Sequence, residues 1–120
     1  MSRVYIAVTR EQLARYLQAG LVPGSNEYFV AEDESEDAEL EAYEAAVVHA
    51  GDFMLEGPGR RYVLAVEVVA GADGTSDSIA DMPWSKVHAL HADTEDVDPA
   101  ADELPELGWY ATQEIPDLLA

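Results

Sequence analysis

Cysteine is absent from this 120-residue chain, and lysine occurs once. Without cysteine there is no disulfide framework, no thiolate metal site and no thiol nucleophile. No apolar run approaches the roughly eighteen residues of a transmembrane helix. The apolar stretch at the N-terminus is also too short for the core of a signal peptide. We therefore expect a soluble, cytoplasmic protein that does not contact a membrane.

The sequence also lacks the common motifs of phosphate binding and nucleophilic catalysis. It contains no glycine-rich phosphate loop, no nucleophile elbow and no zinc-protease helix motif. The acidic segment 93–98 superficially suggests a calcium loop, but Val97 stands where an oxygen ligand is needed, and Pro99 lies near the position of the turn glycine. We therefore predict neither a cofactor nor a bound metal, and the sequence does not favour an enzyme.

Carboxylates dominate what is present. The chain has 25 acidic and six basic residues, a formal net charge of −19. Eight carboxylates fall in residues 32–44 and seven in residues 93–106, and neither stretch contains a basic residue. Such a surface repels phosphates and anionic lipid, so we expect no direct binding to nucleic acid. A solvated, salt-adapted surface and a carboxylate array that docks on a basic partner or imitates DNA both remain open.

Periodicity predicts strands alternating with helices. Residues 3–8 alternate apolar side chains and indicate a strand. Thr9 and Gln12 fit a capping box at the start of a helix that Gly20 would end. Residues 61–69 are apolar on both faces, which is typical of a central strand.

The remaining elements follow the same reasoning. A second helix is predicted to start after Ser35, to bury Leu40, Tyr43 and Val47, and to end at Gly51. Shorter strands are predicted within 28–31, 86–92 and 107–111, and short helices within 98–104 and after a Thr112 cap. The order β-α-β-α-β-β-(α)-β-(α) predicts one α+β domain over residues 1–120. It would have a single mixed sheet of about four to five strands and two main helices packed mostly on one face.

His91 and Asp93 are the weak candidates for chemistry. On a strand they would share one face, and His88 would point to the other. An imidazole beside a carboxylate can act as a general base or supply two ligands to a metal ion. The alternative is a strand-end imidazole that a neighbouring carboxylate holds for structural reasons.

Two groups of residues are candidates for binding a partner. The first is the carboxylates of the second helix, Glu36, Asp37, Glu41 and Glu44. The second lies near the C-terminus and consists of Trp109, Tyr110, Gln113 and Glu114. Aromatic side chains with a polar atom often anchor interfaces, although Trp109 could equally hold the C-terminal segment on the core. The doublet Arg60-Arg61 is expected to pair with an acidic segment or to cap the edge of the sheet, rather than to bind an anion.

Several of these segments resemble a known family. They are Arg3–Ile6, Glu39–Tyr43, the strand in residues 61–69, the step from His91 to Asp93 and the C-terminal motif Trp109–Ile115. Together they resemble an uncharacterised actinobacterial family of small acidic proteins, the domain of unknown function DUF6912. The resemblance implies a cytosolic, actinobacterial origin, and it supplies neither an activity nor catalytic residues.

Two hypotheses follow from the sequence. The first is a non-enzymatic interaction or regulatory module whose acidic surface binds a basic patch on another protein. The second is a small enzyme or metal-dependent binder that uses His91 and Asp93. The sequence leaves the oligomeric state open.

Overall fold

The computed structural model describes residues 2–23, 28–30, 35–52, 59–68, 82–98 and 106–119. Within them the strands are β1 (Ser2–Val8), β2 (Leu21–Val22), β3 (Phe29–Val30), β4 (Tyr62–Val68), β5 (Met82–Pro83), β6 (Val87–Ala92) and β7 (Gly108–Ala111). The α-helices are α1 (Arg10–Ala19), α2 (Glu36–Asp52) and α3 (Ile115–Leu119). Two 3-10 turns cover Trp84–Lys86 and Thr112–Glu114. No helix in this part of the chain is both long and apolar enough to cross a membrane.

Five strands form the main sheet in the order β3-β1-β4-β6-β7, and β2 pairs separately with β5. The α+β class is confirmed, the main sheet has the predicted number of strands, and strand β4 is central as expected. The separate β2–β5 pair departs from the predicted single sheet. The sheet is antiparallel at every pairing rather than mixed. Periodicity locates strands along the chain, but strand direction depends on non-local pairing, which the sequence did not reveal.

The helices pack on opposite faces of this sheet, not mostly on one face as predicted. Alternate residues of β1 and β4, such as Ile6 and Leu64, pack with α1 and α3 on one face. Their neighbours Tyr5 and Val63 pack with α2 on the other face. We call these the α1 face and the α2 face. Because β1 and β4 are apolar on both sides, each face needs its own cover.

The predicted capping box of helix α1 is confirmed. The Thr9 hydroxyl accepts a hydrogen bond from the Gln12 N–H at 3.1 Å, and the Gln12 side chain accepts one from the Thr9 N–H at 3.0 Å. Leu13 and Tyr16 are buried as expected. Gly20 ends the helix with a φ of 70°, a left-handed conformation that glycine adopts without steric cost.

Helix α2 begins as predicted but buries a different set of side chains. Ser35 accepts a hydrogen bond from the Ala38 N–H at 3.2 Å. The side chains that are buried against the sheet are Ala42, Ala46 and Ala50. Tyr43 and Val47 pack beside them, whereas Leu40 is 52% exposed, so the predicted Leu40 stripe is wrong. The small methyl groups let the helix lie close to the sheet, which a pattern of large apolar residues does not reveal.

Several smaller expectations differ from the structure or cannot be compared with it. Gly51 is helical, and α2 ends at Asp52. The Thr112 hydroxyl does not cap a helix; it donates to the carbonyl oxygens of Val87 at 2.8 Å and His88 at 3.2 Å. The short helix predicted within 98–104 lies almost wholly outside the described residues.

Candidate functional site

Asp93 forms a buried ion pair with Arg61. Its carboxylate accepts two hydrogen bonds from the Arg61 guanidinium, at 2.9 and 2.8 Å, and a third from the Arg61 backbone N–H at 2.8 Å. The Asp93 N–H donates in return to the Arg61 carbonyl at 3.1 Å. Asp93 is 1% exposed and Arg61 5% exposed. This bidentate contact joins the residue before β4 to the residue after β6, so it is a structural clamp.

Arg60 makes the corresponding surface contact, at 3.3 Å from the exposed carboxylate of Asp96. Both arginines of the doublet therefore pair with the acidic segment that begins at Asp93, which confirms that expectation. Nearby, Gly59 and Val97 form an isolated antiparallel bridge, with N–H to carbonyl distances of 3.0 and 2.8 Å. The first part of the second acidic stretch is thus bound to the start of β4.

His91 has a different environment from Asp93. It lies on the α2 face, where its ring meets Tyr43 edge to face with 4.8 Å between the centroids. Burial lowers the pKa of His91, and the nearby Arg3 and His88 side chains lower it further. The imidazole is therefore neutral at pH 7. The structure joins Asp93 to Arg61 and His91 to Tyr43, so the two candidate residues make separate contacts.

His88 lies on the same face as His91, not on the opposite one. Strand β6 has a β-bulge, because Ala65 pairs with Ala89 whereas the next residue, Val66, pairs with Val87. The extra residue, His88, breaks the alternation of side chains. Its Nδ1 atom lies 3.8 Å from Oε1 of Glu67 on the α2 face.

A charged network connects β6, β4, β1 and α2. Arg3 donates a hydrogen bond to Glu67 at 3.4 Å and lies 4.0 Å from Glu39 of helix α2. The same Glu67 oxygen approaches His88. Sequence reasoning did not name Arg3, Glu39 or Glu67 as site residues. Arg3 and Glu67 are charged residues in otherwise apolar strands, and their direct opposition shows only once the register of β1 and β4 is known.

The four candidate carboxylates of helix α2 are on its outer side. Glu36, Asp37, Glu41 and Glu44 are all exposed. Two aliphatic side chains lie among them, Leu40 at 52% exposure and Val48 at 69%. We call these six residues the acidic face. Its apolar members were not predicted, because Leu40 had been assigned to the core.

The C-terminal candidates divide between the two faces of the sheet. Trp109 pairs with His91 on the α2 face and is 57% exposed. Tyr110 pairs with Leu90 and packs partly buried against the core of the α1 face. Gln113 and Glu114 are exposed in the turn that follows, where the Glu114 carboxylate accepts from the Ala111 N–H at 3.4 Å. The structure therefore does not bring Trp109 and Tyr110 together.

The last residue of the second acidic stretch, Glu106, lies near helix α2. Leu107 packs against the core beneath α2, together with Tyr43 and Val47. Burial raises the pKa of the Tyr43 phenol, and the neighbouring negative charges of Glu106 and Asp93 raise it further, while Arg61 opposes them. Glu106 thus adjoins the helix that carries the first acidic stretch.

The described residues offer little basis for metal chemistry. Within those ranges no three histidine, aspartate or glutamate side chains are arranged to hold a metal ion. Glu67, which lies near His88, pairs with Arg3 instead.

Comparison with known proteins agrees with the resemblance seen in the sequence. Neither the curated proteins nor the solved structures yield a match. The profile of the family of unknown function DUF6912 matches residues 2–119, nearly the whole chain. The chain therefore belongs to the DUF6912 family.

Proposed function

We propose that this protein is a non-enzymatic interaction module, acting in the cytoplasm, whose acidic face binds a basic patch on a partner protein. The observation that carries the proposal is the exposure of Leu40 and Val48 among four carboxylates on one helix. Carboxylates alone are commonly a solvated surface. Exposed aliphatic side chains enclosed by charge of one sign are instead typical of a surface that a partner covers.

Helical geometry groups these side chains into one stripe. Asp37, Glu41, Glu44 and Val48 follow one another at spacings of four, three and four residues, which keeps them on the same side of a helix. The buried alanines, represented by Ala46, occupy the opposite side. The stripe therefore points directly away from the sheet.

The charge on this stripe works against the helix that carries it. Like charges three or four residues apart, such as Glu41 with Asp37 and Glu44, each destabilise a helix by roughly 0.2–0.5 kcal/mol. No basic residue occurs in 32–44 to offset them. A partner with lysine or arginine side chains around an apolar centre would relieve the repulsion and cover Leu40 and Val48 together.

The test measures binding of an amphipathic lysine–leucine helical peptide, with a lysine–serine peptide of equal charge as its control. We expect Glu41→Gln with Glu44→Gln to weaken binding of both peptides, and increasingly so at low ionic strength, where screening is least. Leu40→Ser with Val48→Ser should weaken binding of the lysine–leucine peptide only. If neither pair of substitutions changes the affinity, or if the lysine–leucine peptide does not bind at physiological ionic strength, the proposal is wrong.

A further inference from the structure

Three aromatic residues form a row that runs from helix α2 to the edge of the sheet. Tyr43 lies on α2, His91 on β6 and Trp109 on the edge strand β7. The rings of Tyr43 and His91 are in contact, and His91 pairs directly with Trp109. Directly opposed residues of an antiparallel pair hold their Cβ atoms about 5 Å apart on one face. We call these three residues the aromatic step.

Trp109, at the edge of the sheet, is the solvent-exposed end of the aromatic step. Trp109 is 57% exposed, whereas the other tryptophan, Trp84, packs partly buried against the core of the α1 face. Helix α2 packs over β1, β3 and the central strand β4, whereas β7 is at the opposite edge of the sheet from β3. An exposed tryptophan next to a second aromatic residue, here His91, is a common anchor of protein interfaces.

The charged residues near the aromatic step carry a net negative charge. Asp93 and Glu106 act on Tyr43 together with Arg61. Arg3 lies between Glu39 and Glu67. Four carboxylates therefore accompany two guanidinium groups, which favours a further cation. Burial lowers the pKa of His91, and the positive charge of Arg3 lowers it further, so the imidazole is neutral at pH 7. Arg3 is itself paired with two of those carboxylates.

The chain's own cations are largely engaged elsewhere. It has six basic residues. Four of them bind acceptors away from Trp109: Arg3 binds Glu39 and Glu67, Arg10 binds the Leu119 carbonyl, Arg60 binds Asp96 and Arg61 binds Asp93. A cation on the aromatic step is therefore best supplied by another molecule.

We propose that the aromatic step binds an arginine side chain of a basic partner protein. The guanidinium would stack on the Trp109 ring, next to His91. This inference rests on the proposed function and names the group that anchors the partner. Arginine fits better than lysine because its guanidinium is planar, stacks on aromatic faces and still presents N–H donors to a carboxylate such as Glu106.

The experiment uses capped hexa-arginine, hexa-lysine and hexa-citrulline peptides as probes. Binding to the natural sequence and to every variant is measured by calorimetry. Where Trp109 is present, its fluorescence in a Trp84→Phe background provides a second measurement, since the chain has two tryptophans. We expect Trp109→Leu to weaken hexa-arginine binding about threefold to thirtyfold, the range of a cation–π contact. Trp109→Phe should restore part of the affinity, hexa-lysine should respond less to both substitutions, and hexa-citrulline should bind weakly throughout.

The outcomes separate this inference from the proposed function. Equal weakening of the arginine and lysine peptides by Trp109→Leu, or no weakening of either, overturns the aromatic step as an arginine site. If Glu41→Gln with Glu44→Gln still weakens both peptides in that case, the acidic face stands without it. If those two substitutions have no effect but Trp109→Leu selectively weakens hexa-arginine, the aromatic step stands and the acidic face is overturned.

Discussion

The two faces of the main sheet are closed by different means. On the α1 face, large side chains such as Ile6, Leu64 and Leu90 are fully buried. On the α2 face, small side chains such as Ala46 bring the helix close to the sheet. Beyond the helix, that face continues into charged and aromatic groups that remain accessible, with Trp109 as its most exposed aromatic residue. Apolar volume is thus concentrated on one side of the sheet, and the residues that we propose for binding lie on the other.

The largest expected effect concerns the buried ion pair of Arg61 and Asp93, whose charges both act on Tyr43 of helix α2. Arg61→Met would leave the Asp93 carboxylate buried and unpaired, so the free energy of unfolding should fall by about 3–5 kcal/mol. Arg60→Met is the matched control, since its partner Asp96 is exposed, and should cost at most about 1 kcal/mol. Urea denaturation measures both. Equal losses would mean that Asp93 is not buried as described.

Truncation of a large side chain should affect the α1 face strongly. Leu64 is 0% exposed, and Leu64→Ala should lower the free energy of unfolding by about 2–5 kcal/mol, because it removes buried apolar surface and leaves a cavity. The same substitution at Leu40, which is exposed on α2, should change it by no more than about 0.5 kcal/mol. Thermal or chemical unfolding of the two variants would contradict the assignment of the faces if Leu40→Ala proved the more damaging.

Substitution of a buried alanine by a larger side chain should, by contrast, destabilise the packing on the α2 face. Ala46 is fully buried between helix and sheet, so Ala46→Leu should cost about 1–3 kcal/mol as the helix is pushed outward. Ala45, the neighbouring residue, is only partly buried, and Ala45→Leu should cost much less. If both variants unfold at the same urea concentration, α2 does not pack through its alanines.

The smallest expected effect is a pH dependence that originates on the α2 face. The folded-state pKa of His91 is lowered, so between its unfolded and folded values the unfolded chain binds more protons. Stability from this group is therefore complete above the unfolded pKa of about 6.5 and is lost as the pH falls through the folded pKa. His91→Gln should flatten the stability profile below pH 6.5 relative to the natural sequence. An unchanged slope would show that His91 is not desolvated beside Tyr43, Arg3 and His88.

Local signals predicted much of the fold. The Thr9–Gln12 capping box, the Gly20 stop and the strands on either side of helix α2 depend on neighbouring residues, and all are present. The small β2–β5 sheet was missed, because Leu21–Val22 follows the Gly20 stop directly and Met82–Pro83 contains a proline, which argues against a strand in a sequence. The α2 stripe was misplaced for another reason: Leu40 is large and apolar, yet alanines fit the space better.

The candidate site was less predictable, because it depends on pairing across the sheet. The sequence indicated that the Arg60-Arg61 doublet would bind an acidic segment, and it does. The carboxylate that pairs with Arg61 cannot be identified without the register of β4 and β6. Sequence reasoning therefore linked Asp93 to His91 instead. The contact between Tyr43 and His91 likewise joins residues 48 positions apart, on different elements.

The β-bulge at His88 also affects how members of this family should be compared. A relative that lacked the bulged residue would have strand β6 one residue shorter, and its single histidine could be aligned with either His88 or His91. Only the alignment that places the gap at the bulge preserves the pairing of His91 with Val63 and Trp109. For such a relative, equivalent positions on the α2 face would be recognised only when that gap is allowed.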